Sequence, residues 1–337
     1  MQAYESLSSF EPPPRGSVVT VGNFDGVHLG HQRLIAAARQ QAQRHGLPVI
    51  VATFDPHPLA VVAPQHAPPR LTTLAERVAL MRKLGADHVL VIRACRKFLA
   101  LSARAFLEHL AQRCRPRVIV EGPTFTFGRH RSGTVETLRD YAARYGYEVV
   151  IVQELHVGNR ENRPAVNSSA IRAALRAGDV DTANEMLGRP YRITGRVVTG
   201  DRRGRTIGFP TANLDDIPHL LPRQAVYAAV AQLDDGELRM AAVNIGPQPT
   251  FAQSGARVEA HLLDYAGELH ERLLGLHLIK CLRDQQAFDD VEQLKDQLAR
   301  DVARTRELAA ALQTGRQCPE RLPLFGPDKR GARIPCA

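Results

Sequence analysis

The chain has 337 residues, room for two domains at about 100–200 residues each, and its 44% hydrophobic and 23% charged content is that of a globular protein. No run approaches the roughly 18 apolar residues of a membrane helix, and Met1 to Gly16, with Glu5, Glu11 and Pro12-Pro13-Pro14, lacks the apolar core of a signal peptide, so a cytoplasmic location is expected. The formal charge of +9 is spread along the chain without the basic clusters and interleaved aromatics of a nucleic-acid surface, and a protein that handles anionic nucleotides accounts for it equally well.

Apolar β-branched runs at Val18–Val21, Val49–Thr53, His88–Ile92, Val118–Val120 and Glu148–Val152 alternate with helical patterns at Arg33–Arg44, Leu74–Leu84, Ala103–Arg113 and Val135–Tyr145. Strands separated by helices of this length predict βαβ units and a parallel sheet covered on both faces. Such sheets bind ligands beyond the carboxyl ends of their strands. Two short helices are predicted next, Ser168–Ala177 and Val180–Leu187, broken at Gly178-Asp179. From Tyr191 the pattern changes to short strands at Tyr191–Val198, Val226–Leu233, Arg239–Ile245, Arg257–Leu263 and Leu273–Lys280, as in an antiparallel barrel. A closing helix, Asp290–Leu312, carries Val291, Leu294, Leu298 and Val302 on one stripe. Gly315 to Ala337 has no apolar period and is expected to be a mobile tail. The five cysteines (Cys95, Cys114, Cys281, Cys318, Cys336) are scattered without a C-x-x-C pair, which argues against a disulfide framework or a zinc–cysteine site.

Directly after the first strand comes Gly22-Asn23-Phe24-Asp25-Gly26-Val27-His28-Leu29-Gly30-His31, which opens the first helix. Glycines let the backbone turn sharply and approach a ligand, and free N–H groups at a helix start suit phosphate. His28 and His31 can both donate to one polyphosphate; incidental histidines at a helix start, or a His–His metal pair, are the alternatives. No further ligand follows at metal spacing. The H-x-G-H arrangement resembles that of nucleotidylyltransferases. With Phe54-Asp55-Pro56-His57-Pro58, Phe125-Thr126-Phe127-Gly128, Arg131-Ser132-Gly133 and Val166-Asn167-Ser168-Ser169-Ala170-Ile171-Arg172, the first half resembles the FAD synthetase module of bacterial bifunctional riboflavin kinase/FAD synthetases. That resemblance implies a Rossmann-like α/β nucleotidylyltransferase domain at 1–187. It implies ATP contacts from Gly22, Asn23, Phe24, Asp25, Gly26, His28, Gly30, His31, Ser168, Ser169 and Arg172, with His28 and His31 catalytic. It implies flavin contacts from Phe54, Pro56, His57, Phe125, Phe127 and Arg131.

The second half carries Gly195-Arg196-Val197-Val198, Gly200 to Arg205, Gly208-Phe209-Pro210-Thr211-Ala212-Asn213, Asn244 to Phe251, and Glu259-Ala260-His261-Leu262. In this order the series resembles a riboflavin kinase domain, implying an antiparallel β-barrel with a closing helix at 188–312 and leaving 313–337 as the tail. Gly195, Gly200, Gly204, Arg205, Gly208, Phe209, Pro210, Thr211, Asn213 and Asn244 are then expected to hold ATP and flavin. Thr211 and Asn213 offer hard oxygens to a Mg²⁺ carried by ATP, and Glu259 is the catalytic base for the riboflavin 5′-hydroxyl. ATP, riboflavin and FMN follow as small-molecule partners and FAD as product, with neither nucleic acid nor membrane involved and no oligomeric state assigned.

The chain departs from the family pattern at Thr124, Arg93-Ala94, Ala225-Val226-Tyr227 and Leu269-His270-Glu271. Two alternatives remain: a kinase whose first domain is inactive, and a flavin-binding regulator without turnover. The first is weakened by His28, His31 and Arg172, the second by Thr211, Asn213 and Glu259, all of which are present.

Overall fold

The computed structural model describes residues 5–7, 9–159, 163–200, 204, 207–247 and 256–314. By packing, the chain divides into two compact units, Met1–Ser168 and Ser169–Ala337.

The first unit holds a parallel sheet of β1 (Glu5–Ser6), β2 (Ser17–Gly22), β3 (Val49–Asp55), β4 (His88–Arg93), β5 (Pro116–Glu121) and β6 (Glu148–Ile151), in the order β1-β4-β3-β2-β5-β6. Its helices are α1 (Leu29–His45), α2 (Pro58–Val62), α3 (Leu74–Lys83), α4 (Arg96–Leu99), α5 (Ala103–Cys114) and α6 (Val135–Tyr145). Successive side chains of a strand face opposite ways. Val18 accordingly packs with Val51 and Val118 against Ile35 of α1 and Met81 of α3. Val19 and Val21 pack with Ile50 and Ile119 against Leu107 of α5 and Leu138 of α6. Each such fully buried side chain stabilises the fold by roughly 1.5–3 kcal/mol. The unbroken apolar runs in the sequence are the signature of this two-sided cover.

The second unit begins at Ser169, the second residue of α7 (Ser168–Ala177), and continues through α8 (Val180–Leu187) into six antiparallel strands. These are β7 (Tyr191–Val198), β8 (Ala212–Asp215), β9 (Ala225–Leu233), β10 (Leu238–Pro247), β11 (Ala256–Leu262) and β12 (Leu273–Asp284), closed into a barrel in the order β10-β11-β8-β7-β12-β9. The packing break therefore falls at the start of α7, whereas the sequence pattern changes only after Leu187. The reason is that α8 is bonded to the barrel: Asn184 donates to Leu278 O at 2.9 Å and its Oδ1 accepts the Tyr191 N–H at 2.7 Å. Strand β8 and the short β1, α2 and α4 were not expected from the sequence.

The last helix, α9 (Val291–Thr314), seals the outside of the barrel. Val302 and Ala309 pack with Val230, Met240 and Ile279, whereas Val291, expected on the same stripe, is 53% exposed. Asp301 is buried, and Arg283 of β12 meets it with a fork, Nε at 3.0 Å from Oδ1 and Nη2 at 2.8 Å from Oδ2. The tail from residue 315 onward lies outside the described residues, with Cys318 and Cys336; Cys95, Cys114 and Cys281 are free.

Removing one partner of a buried pair leaves the other charge uncompensated, at a cost of about 3–5 kcal/mol. Asp301→Ala is expected to lower the stability of the barrel unit by that amount in urea unfolding. A loss under about 1 kcal/mol would class the pair with exposed ion pairs.

Candidate active sites

Strand β2 ends at Gly22 in the middle of its sheet, between β3 and β5, where connections leave in opposite directions. Such a switch point is where open α/β sheets take ligands. From there the chain turns into α1 through positive φ at Phe24 (48°), Gly26 (83°) and Val27 (40°). Phe24 and Val27 are fully buried, which pins the turn. Asp25 pins it further: its carboxylate accepts from Leu71 N (3.1 Å), Thr72 N (3.0 Å) and Thr72 Oγ1 (3.0 Å), while Gly26 N donates to Thr72 Oγ1. Ser168 Oγ donates to Asp25 O at 2.8 Å. Two residues expected to touch ATP thus build the loop itself.

His28 caps α1, its Nδ1 accepting the His31 N–H at 3.3 Å. That bond leaves the ring proton on Nε2, a donor. The His28 and His31 rings stack 3.6 Å apart, and Phe24 packs 4.9 Å from His31. Gly30 leaves the space that the stack needs: a Cβ there would lie 3.1 Å from the His28 ring and 3.3 Å from Val166 O. Asn23 O accepts from Thr53 Oγ1 (3.0 Å) and Arg77 Nη1 (2.7 Å), and its amide nitrogen lies 3.2 Å from His57 Nε2. Its Oδ1 is buried without a hydrogen-bond partner among the described residues. Ser169 and Arg172 belong by packing to the second unit.

The residues expected to take flavin divide. His57 joins the glycine loop through Asn23, and Phe54 and Phe125 are half-buried against the same core cluster. Phe127 is a core residue, buried 5.3 Å from Phe106, with no space for a Cβ at Gly133 beside its ring. Arg131 Nε donates to Thr126 Oγ1 at 2.9 Å on the surface. Thr124 lines a cavity of about 660 Å³ with Arg33, Gln153, Glu154 and His156. A second cavity of similar size, with Arg15, His45 and Arg117, lies at the amino ends of the strands and carries none of the motif residues.

In the barrel, register builds the site. Asn244 stands opposite Glu259, and Glu259 opposite Asn213, on the adjacent strands β10, β11 and β8. Val258, Ala260 and Leu262 fill the interior, so Glu259 faces outward. Asn244 Nδ2 lies 3.3 Å from Glu259 Oε2. Arg257 Nε donates to Asn213 Oδ1 at 2.9 Å and lies 3.2 Å from Glu259 Oε1. Gln285 fixes Asn244 by donating to its Oδ1 at 2.8 Å. Gly200 lies against this row, since a Cβ there would fall 2.1 Å from Asn213 Nδ2, and one at Gly204 would strike Phe209 O at 2.3 Å. His261 Nδ1 is 2.8 Å from Pro210 O, and its ring meets Phe209 edge-on. Gly195 is a packing residue, with Asp215 O and Ile217 where its Cβ would be. Gly208 has φ +87°, while Arg205 and residues 248–251 lie outside the described residues.

Arg77 and Arg257 escaped the sequence reading because each lies in an ordinary helix or strand pattern, and Gln285 because it lies in the connection after β12. Among the described residues no group of three or more His, Cys, Asp or Glu is placed to hold a metal. The neutral oxygens of Thr211 and Asn213 suit a cation that arrives with phosphates. Asn213 Oδ1 keeps a second lone pair beside its bond to Arg257.

A strand-end glycine loop with stacked histidines in one unit, and an outward Asn–Glu–Asn row on a closed barrel in the other, define a two-site protein of nucleotidylyltransferase and flavokinase type. Residues 11–164 match the family model for FAD synthetase, and residues 187–309 match that for riboflavin kinase. Proteins described as bifunctional riboflavin kinase/FMN adenylyltransferase are similar throughout: 39% identical from Escherichia coli K12 (88% of this chain, 94% of the relative) and 37% from Pseudomonas fluorescens (92% and 98%). A solved structure described as a macrolide-efflux protein from Streptococcus pneumoniae has the same fold at a TM-score of 0.82 and 31% identity, covering 90% of this chain and 97% of that one. The chain belongs to the bifunctional riboflavin kinase/FMN adenylyltransferase family.

At the end of β5, Glu121 is 2% exposed and accepts the Val21 N–H at 2.7 Å. It is not among the residues lining the Thr124 cavity, where the carboxylate is that of Glu154. Burial raises the Glu121 pKa well above the ordinary carboxyl value, and the Val21 bond opposes that rise. The folded chain therefore keeps this proton to higher pH than the unfolded chain, and stability falls as pH rises through the interval between the two values. Glu121→Gln keeps an acceptor for Val21 and removes the titration. Its stability relative to wild type is expected to match near about pH 4 and to grow steadily toward neutrality. A difference independent of pH would contradict this assignment.

Proposed function

We infer that the chain makes FAD from riboflavin in two ATP-dependent steps, FMN formation in the barrel unit and adenylyl transfer at the histidine loop. One observation carries the reading: the first unit holds a histidine loop and the second holds the Asn213–Glu259–Asn244 row, two separate polar sites. The functional division is proposed as 1–187 for adenylyl transfer and 188–312 for the kinase.

In the kinase step the riboflavin 5′-hydroxyl oxygen attacks the γ-phosphorus of ATP, its proton passes to Glu259, and ADP leaves. Asn244 and Arg257 hold the Glu259 carboxylate in place for that proton. Thr211 and Asn213 would hold a Mg²⁺ that arrives with ATP and neutralises phosphate charge. In the second step a phosphate oxygen of FMN attacks the α-phosphorus, the bond to the β-phosphate breaks, and pyrophosphate departs. In this reading His28 Nε2 and the N–H groups at the start of α1 donate to the polyphosphate as charge builds, which the position of His28 at the helix cap supports. The His31 ring stacks on that of His28 and is the second donor to the polyphosphate, while the His31 backbone N–H bonds His28 Nδ1. ATP, riboflavin and FMN are the partners of this chemistry, and the cytoplasm is its proposed location. Among the described residues no helix is long and apolar enough to cross a membrane.

His31→Ala is expected to slow FAD formation from FMN by about 10²–10³ while leaving riboflavin phosphorylation unchanged. Glu259→Gln is expected to slow FMN formation by about 10²–10⁴ and leave FAD formation from supplied FMN unchanged. Separate chromatographic assays of the two flavin products check both. Equal damage to both steps by either substitution, in a folded protein, would mean that the roles are misassigned.

A further inference from the structure

Arg77 sits in the middle of α3 with a side chain only 7% exposed. Val78 and Met81 already pack this helix on the sheet, so packing alone does not call for a guanidinium there. Its hydrogen bonds run to the first glycine loop and to the carboxyl end of β3. Nη1 donates to Asn23 O (2.7 Å), Phe54 O (3.1 Å) and Thr53 Oγ1 (3.3 Å), and Nη2 donates to Asp55 Oδ1 (3.1 Å). Burial draws its pKa below the ordinary arginine value, and the Asp25 and Asp55 carboxylates oppose that pull.

Asn23 lies in the loop assigned to ATP, and residues 54–57 lie in the segment assigned to flavin. Beyond His57 the helix α2 has no buried residue, and Leu59 and Val62 are 40% and 56% exposed. A helix without a buried face takes its position from its anchors. Here the anchors are His57, whose Nδ1 accepts the Leu59 N–H at 3.2 Å, and the contact of His57 Nε2 with the Asn23 amide. The Arg77 fork grips the backbone on both sides of that contact.

We propose that Arg77 is a positioning residue for adenylyl transfer, fixing the ATP loop and the flavin segment relative to each other so that one substrate prepares the site for the other. This rests on the adenylyl-transfer reading of the first unit. A single ammonium could reach some of the four acceptors, but only a planar fork reaches all of them. Misplacement of reacting groups by about 1 Å can cost on the order of 10² in rate without loss of binding.

The test uses full-length wild type, Arg77→Met and Arg77→Lys. FMN binding is titrated by flavin fluorescence with and without a non-hydrolysable ATP analogue, and both flavin-forming rates are measured. For Arg77→Met, kcat for FAD formation is expected to fall about 10²-fold while KM for ATP moves by about threefold or less. FMN affinity should lose its response to the ATP analogue, riboflavin phosphorylation should be unchanged, and Arg77→Lys should recover part of kcat. A folded Arg77→Met protein with wild-type kcat, or with wild-type coupling between the two ligands, overturns the proposal. Should Arg77→Met fail to fold, Asp55→Asn weakens one arm of the fork at constant volume by removing the charge opposite Nη2. It is expected to weaken the coupling and lower kcat, and wild-type values of both would overturn the proposal. Absence of FAD from the wild type overturns the adenylyl-transfer reading itself, and that control tells the two failures apart.

Discussion

The bonds that Asp25 makes to Leu71 and Thr72 hold a turn that the backbone would otherwise avoid. Phe24 and Val27 both adopt left-handed φ in that turn, and such positions cost on the order of 1–3 kcal/mol each unless the surroundings over-determine them. The surroundings do so here with two buried side chains, a buried carboxylate, and Ser168 bonded to the Asp25 carbonyl. Everything in the first site follows from the turn. It delivers His28 to the cap of α1, which fixes the tautomer of its ring, and it brings Asn23 to Arg77 and His57.

The barrel reaches a polar site by a different route. No strained loop is needed to bring Asn213, Glu259 and Asn244 side by side, because strand register does it. A slip of one residue in β11 would turn Glu259 into the interior and bring Val258 out. The closure of the barrel, the filling of its interior by Val258, Ala260 and Leu262, and its seal by α9 thus guard the orientation of the proposed base. Gly200 and Gly204 themselves lie close against Asn213 and Phe209, where a side chain would not fit.

Much of this was legible in the sequence because the physics was local. Two-sided burial writes unbroken β-branched runs, as at Val18–Val21. The H-x-G-H stretch announces a helix start with donors, and the motif of Thr211 and Asn213 with Glu259 announces the second site. What was not legible depends on distant partners. The part of Asp25 in the turn shows only once Leu71 and Thr72 are seen to bond its carboxylate. The place of Phe127 in the core shows only once Phe106 and Gly133 are seen around it. Strand β8 hides inside a turn-like motif, and the packing of helix α8 with the barrel shows only when Asn184 is found on Leu278. Arg77 has no local signal at all, since its four acceptors lie in segments distant from it in sequence.

The central claim is that one chain adds a phosphoryl group at one site and an adenylyl group at the other. It is tested most directly by incubating the full-length protein with riboflavin, Mg²⁺ and ATP labelled either at the α- or at the γ-phosphorus. The flavins are then separated and the product FAD is cleaved at its pyrophosphate. The account expects γ-label in FMN and in the FMN half of FAD, and α-label in the AMP half alone. FMN that gains γ-label with no α-label entering any flavin would contradict it, as would either label appearing in the other half.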